Sequence, residues 1–353
     1  MIFEFGLFAP AARLTAVAER SRQRRIVGAA LLLYLPVGLA FCLTIVALSY
    51  RIDDWFQVNV GTALRIAAPV AFAIPFTQIA QLLSQGVDSL HIASITAVVM
   101  QVFFLGALVL AVLAGGFGLT NAVILRCVAV ATGGVAAVVW LRPAFRSARD
   151  LVVELVHEAR VWGFQLYIGR LLSIGTYNMD VLMLGGFAGS TPVGLYTLAG
   201  SVAAAAGLPV LGMTTALFAP LARADRIGSR PLTLSAVLGL TTSLAAWLLA
   251  EPFIRVTFGE QYVSAAHLVL PLTLAQAVRG VTGVYNTFLQ AHGRGRELRN
   301  AGLILTGSNL VLNVSLIPAF GASGAAWASL GALLANLIGH IVFYRRVQSE
   351  TTA

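Results

Sequence analysis

Residues 92–114 read IASITAVVMQVFFLGALVLAVLA, twenty-three positions without a single charge. As a helix this run is about 35 Å long at 1.5 Å per residue, more than the roughly 30 Å hydrocarbon core of a bilayer. It is apolar on every side, so it has no face to offer water, and hydrocarbon must surround it. Nine more such stretches lie outward from it, at 26–49, 62–85, 118–141, 160–187, 193–218, 231–250, 264–290, 299–319 and 323–344. Residues 1–19 form a partial eleventh. They lack a basic segment ahead of the apolar stretch, so a cleavable signal peptide is not expected.

Composition agrees with the spans. Of the 353 residues, 58% are hydrophobic and 10% charged, against about 25% charged in soluble domains. Mean hydropathy is +0.87, which excludes a water-soluble enzyme. All 23 basic residues are arginine, which removes mechanisms built on a phosphate-binding or Schiff-base lysine. Cys42 and Cys127 lie inside apolar runs, too isolated for a disulfide framework or a CxxC site.

The arginines set the topology. Threading the chain with Arg20, Arg22, Arg24 and Arg25 in the cytoplasm puts seventeen arginines on that side and two, Arg51 and Arg255, on the other. That bias is the positive-inside signal. It accounts for the net charge of +9 without nucleic acid, and it places the C-terminus in the cytoplasm.

The chain also repeats. Leu7-Phe8-Ala9-Pro10-Ala11-Ala12-Arg13 returns as Leu217-Phe218-Ala219-Pro220-Leu221-Ala222-Arg223. Gln85-Gly86 pairs with His292-Gly293, and Phe117-Gly118 with Phe320-Gly321. Slowly drifting offsets are what two diverged halves give. The expectation is an all-α polytopic membrane protein of two parallel-repeat lobes, with ten full transmembrane helices and one partial, on a six-plus-six plan. On this reading about one and a half spans are missing ahead of Met1. Residues 1–141 form the first lobe and 142–159 a linker helix on the membrane surface, with Leu151, Val152, Leu155 and Val156 on one face. Residues 160–346 form the second lobe and 347–353 a cytoplasmic tail.

The second half carries further motifs in order: Val193-Gly194-Leu195-Tyr196-Thr197-Leu198-Ala199, then Phe258-Gly259-Glu260-Gln261-Tyr262, then Leu289-Gln290-Ala291-His292-Gly293-Arg294. The run from Asn309 to Ala326 closes the series, with Asn309, Asn313, Pro318 and Gly321 inside it. This succession resembles the polysaccharide flippases, the Wzx-type O-antigen and exopolysaccharide translocases of the multidrug/oligosaccharidyl-lipid/polysaccharide exporter superfamily. The resemblance is specific over 160–346 and diffuse over 1–141. It implies a transporter in the bacterial inner membrane that moves polyprenyl-pyrophosphate-linked oligosaccharide for lipopolysaccharide or exopolysaccharide synthesis. It also implies lipid as surroundings and a polymerase and glycosyltransferases as partners.

Charge inside the spans marks the candidate site. An ionisable group at mid-bilayer costs at least about 2.5–3.5 kcal/mol on insertion scales and usually faces a protein interior. Arg279 and Arg170 fall near the middle of their spans, Arg126 is shallower and Arg65 is shallowest. A guanidinium is planar, permanently charged and able to donate two hydrogen bonds to phosphate, so Arg170, Arg279 and Arg126 are expected to bind an anionic head group in a central cavity. Asp180, with Asn178 beside it, is the candidate for ion coupling. Asn309 and Asn313, four apart, share a helix face as polar cavity residues. No catalytic residue, metal or cofactor is expected. Two other readings stay open: a drug or metabolite exporter of the same superfamily, and a membrane glycosyltransferase using Asp53-Asp54.

Overall fold

In a computed structural model, which describes residues 6–51, 61–72, 82–84, 90–115, 118–145 and 148–352, the charge-free run quoted above lies in one helix. Large side chains such as Val98, Val102, Leu110 and Leu113 stand exposed along it. In water that exposure would be untenable; in a bilayer it is the lipid face. No strand occurs among the described residues.

In chain order the long elements of the first part are α1 (Phe8–Val17), α2 (Arg20–Ser49), α3 (Gly61–Ala71), α4 (Leu90–Leu113), α5 (Leu119–Leu141) and α6 (Ala148–Glu158). A π-helical turn, Ala159–Gly163, leads into α7 (Phe164–Ala188). Then follow α8 (Ser190–Ala216), α9 (Phe218–Ala222), α10 (Ser229–Phe258), α11 (Ala266–Ala291) and α12 (Gly295–Thr352). The chain forms two compact units, Met1–Gly163 and Phe164–Ala353. Among the described residues seven helices are long and apolar enough to cross a membrane. The last of these, α12, holds two of the expected spans, divided at Gly321 (φ 54°, ψ −130°). That left-handed backbone suits glycine and separates a first arm, 295–320, from a second, 322–352. Of the expected span 62–85, α3 covers the start, and residues 73–81 lie outside the described residues.

In the first unit, α6 buries Ala148, Leu151 and Leu155 as it packs on α2 and α1. Its polar side reaches back through ion pairs, Glu154 with Arg22 and Glu158 with Arg13, each at 2.9 Å. The expected surface helix thus seats its apolar face on the protein's own first helices. Glu158 Oε2 also accepts from Trp162 Nε1 at 2.7 Å, so one carboxylate ties α1 to the π-helical turn.

The second unit is built around α11, which packs on α8, α10 and α12. Its burial is the greatest of the candidate spans, at 56% of its most apolar window. The sequence repeat is visible in local structure. Phe8 and Phe218 each open a helix, each is buried, and each is followed by a proline two positions on. Gly118 precedes α5 in an extended conformation, whereas Gly321 divides α12 with a positive φ, so the paired glycines both stand at helix boundaries but with different backbones.

Candidate transport cavity and its polar network

Two buried stripes face each other in the second unit. On α7 the buried positions include Leu166, Gly169, Thr176, Asp180 and Leu184. On the first arm of α12 they are Leu298, Ala301, Leu305, Asn309, Asn313 and Ile317, three or four apart throughout. The stripes meet closely because of two glycines. A Cβ on Gly169 would lie 2.7 Å from the Leu298 carbonyl oxygen, and one on Gly302 would lie 2.7 Å from the Gly169 oxygen. Backbone therefore rests on backbone, which brings the mid-helix polar groups within hydrogen-bonding reach.

Asp180 is the centre of those groups and is 4% exposed. Its Oδ1 accepts from Asn313 Nδ2 at 2.6 Å, and its Oδ2 accepts from the Tyr196 hydroxyl at 2.8 Å and from the Ser329 hydroxyl. Asn313 Nδ2 donates as well to Asn309 Oδ1 at 2.9 Å. Four helical segments thus converge on one carboxylate: α7, α8 through Tyr196, and both arms of α12. A buried carboxylate is tolerable only when so surrounded by donors. One group is left over: Asn313 Oδ1 is buried with no hydrogen-bond partner among the described residues. A buried acceptor oxygen without a donor is a place where a positive group would be welcome.

Beside the network lies a cavity of about 400 Å³, lined among others by Thr176, Asp180, Tyr196, Gln276, Arg279 and Asn309. Its size falls within the range of small-molecule pockets, about 300–1,000 Å³. The cavity presents a guanidinium, a carboxylate, two amides and five hydroxyls from otherwise apolar walls. It can therefore hold a polar, multiply hydroxylated or anionic group away from lipid.

The residues singled out from sequence are distributed as follows. Arg279, Asp180 and Asn309 line this cavity. Asn313 sits one layer behind, bonded to an acid and an amide of the wall. Arg170 does not line it: its Nη2 donates to Gln290 Oε1 at 3.2 Å, and Gln290 is eleven residues along α11 from Arg279, or about 16 Å. Arg126 belongs to the first unit, where Nη1 donates to Gln101 Oε1 at 3.0 Å and the guanidinium lies 5.1 Å from the centroid of the Phe104 ring. Arg65 lies 4.7 Å from the Tyr50 ring centroid. The side chain of Asn178, and Asp53 and Asp54, lie outside the described residues. Tyr196, Ser329 and Gln276 join the site without having been marked as site residues by sequence. Tyr196 stands in a quoted motif, but nothing local marks Ser329, whose partner is 149 residues away.

The architecture is that of a polytopic helical membrane protein with a polar cavity inside its second unit. Known structures share the fold: MATE in the bent conformation superposes with a TM-score of 0.78 at 14% identity over 99% of this chain and 84% of that one. A multidrug resistance MATE family transporter of the MOP superfamily, in an outward-facing conformation, gives 0.72 at 16% identity over 99% and 86%. A MOP superfamily transporter from Pyrococcus furiosus gives 0.75 at 16% over 99% and 86%.

Residues 1–224 match the family of polysaccharide biosynthesis proteins, and the chain belongs to that family. Among curated relatives, the probable low-salt glycan biosynthesis flippase Agl15 of Haloferax volcanii is 25% identical over 211 residues, 56% of this chain and 42% of that protein. The probable flippase AglR of the same organism is 25% identical over 197 residues, 52% and 40% of the two chains. The matches thus span less than half the length of these relatives.

Proposed function

We propose that this chain is a flippase that carries polyprenyl-pyrophosphate-linked oligosaccharide across the cytoplasmic membrane by alternating access, in cell-surface polysaccharide synthesis. The observation that carries the reading is the cavity in the second unit, where Arg279 shares a polar space with Asp180, Gln276 and Asn309. The hydroxyls and amides suit a glycan, and the guanidinium suits its phosphates. Membership in the polysaccharide biosynthesis family supports the substrate class. Arg170, held by Gln290 near the end of α11, serves as a second station for the anion, and Arg126 as a third. A polymerase and glycosyltransferases fit as partners that consume and supply such a cargo.

Asp180 fits the coupling role, with Asn178 its neighbour. A monovalent cation between Asp180 and the spare Asn313 Oδ1 would satisfy both. Its entry and exit would loosen the grip of Tyr196 and Ser329 and so connect the ion to the helices that bear them. The exporter reading draws on the fold likeness to multidrug transporters. The positive charge of Arg279 at the cavity wall opposes a cationic drug and favours an anionic cargo.

The test is genetic and biochemical. Deleting the gene should leave lipid-linked oligosaccharide on the inner leaflet. Restoring Arg279→Ala should fail to clear it although the variant reaches the membrane folded, and Arg279→Lys should recover part of the activity. Full clearance by Arg279→Ala would remove this residue from the mechanism.

A further inference from the structure

Charge is shared out unevenly between the two ends of the second unit. At one end stand Arg223, Arg226, Arg230, Arg294, Arg296, Arg299, Arg345 and Arg346, against Asp225, Glu297 and Glu350. The contacts that gather them are explicit. The Ile227 N–H donates to the Tyr344 hydroxyl at 2.9 Å, Gln348 Nε2 donates to the Asp225 carbonyl at 2.8 Å, and Arg294 pairs with Glu350 at 3.0 Å. At the other end Arg255 is spent on Glu251 and Glu260, both at 2.8 Å. Arg226, Arg230, Arg296 and Arg345 are exposed and make no ion pair among the described residues.

These arginines also sit at the tips of apolar stripes. On α10, Arg230 is followed on the same face by Leu234, Val237, Leu244 and Leu248, all exposed. On the second arm of α12, exposed Ile338 and Val342 lead up the helix to Arg345. A fixed cation at the end of a water-avoiding track matches a molecule that is anionic at one end and hydrocarbon beyond it. An acidic soluble protein would use the cations and leave the tracks idle.

We propose that this end of the second unit is a binding surface for anionic phospholipid, with phosphates on Arg226, Arg230 and Arg345 and acyl chains along Leu234–Leu248 and Ile338–Val342. The headgroup contact bridges the 223–228 loop, the start of α10 and the end of α12, so a bound lipid braces the same loop and helix end that Tyr344 and Gln348 join. The surface stands apart from the cavity, and its test does not depend on the cargo.

The experiment compares the whole purified protein in nanodiscs of phosphatidylcholine with and without phosphatidylglycerol, reading retained lipid by native mass spectrometry. The wild type should retain phosphatidylglycerol in preference, and added salt should erode the preference. The triple variant Arg226→Gln, Arg230→Gln, Arg345→Gln should bind it on the order of a hundredfold more weakly, while Arg255→Gln at the opposite end leaves binding unchanged. Equal retention of the two lipids by the wild type overturns the proposal, even if the triple variant fails to fold. So does complete displacement by millimolar inorganic phosphate, which would mark a site for free anions.

Discussion

At Asp180 the chemistry of single atoms separates folding from the coupling role proposed above. The carboxylate takes three hydrogen bonds, and Asn313 keeps one oxygen unused. Replacing Asp180 by Asn removes the buried charge and puts an amide where the carboxylate stood. Rotating the Asn313 amide then presents its spare oxygen to the new N–H₂, at the cost of its hydrogen bond to Asn309 Oδ1, while the bonds from Tyr196 and Ser329 pass to the remaining oxygen. Asp180→Asn should therefore unfold within a few degrees of the wild type in a thermal melt in detergent, while the ion coupling proposed above, which needs the carboxylate as the cation's charge partner, falls by at least about tenfold. Asp180→Ala is the contrasting case. It removes the shared acceptor, leaving the Tyr196 and Ser329 hydroxyls only each other and Asn313 Nδ2 only Asn309 Oδ1, at about 1–3 kcal/mol for each buried group left unsatisfied, so it should melt well below both. Equal melting of the Asn and Ala variants would show that these hydrogen bonds hold nothing together.

Among the helices, α12 shows how spacing becomes architecture, and where sequence reading stops. Its first arm uses small and apolar residues to approach α7, with Gly302 against the Gly169 oxygen. Its second arm uses polar ones: Asn336 Nδ2 donates to the Ala301 carbonyl, His340 Nε2 meets Asn286, Tyr344 accepts from Ile227, and Gln348 donates to Asp225. These four recur every fourth residue, so one face of a single helix staples three other segments. Gly302→Ala should cost about 1–3 kcal/mol through overpacking. Gly307→Ala, on the same arm but facing open space, should be neutral or gain up to about 1 kcal/mol in helix propensity. Thermal unfolding of the pair in detergent reads the difference, and equal shifts would refute backbone contact at Gly302. The span boundaries are legible in sequence because length and charge-free composition alone decide them: 92–114, for instance, lies within Leu90–Leu113 but for its last residue. The intramembrane residues Asp180, Arg279 and Asn309 are legible because lipid makes polarity conspicuous. Ser329 and Tyr196 are not, since a hydroxyl in a helix commonly bonds its own backbone, as Thr197 and Ser315 do here. Only the fold brings Ser329 to a partner 149 residues away. The separation of Arg170 from Arg279 is hidden for a related reason: depth within a span gives height in the membrane, while helix pairing decides what a side chain touches.

For the molecule as a whole, the repeat and the arginines together make an argument about assembly. A half read as one of two repeats is expected to insert without the other, and the second unit carries its own topology signals at 223–230, 294–299 and 345–346. Its buried stripes are answered within the unit: α7 by α12, and α11 by α8, α10 and α12. The described residues of the Asp180 network and of the 400 Å³ cavity all lie within Phe164–Ala353. Expressed alone behind a start methionine, Phe164–Ala353 should therefore integrate with its C-terminus in the cytoplasm and keep the network. Cysteine accessibility would read the topology, and the depression of melting caused by Asp180→Ala would read the network. The cut severs the helical run after the π-helical turn and frees the first N–H groups of α7, but that end carries no part of the site, and water or headgroups can satisfy it. Inverted topology, or a melt indifferent to Asp180→Ala, would mean that the second unit takes its shape from the first and that the duplication survives in sequence without independence.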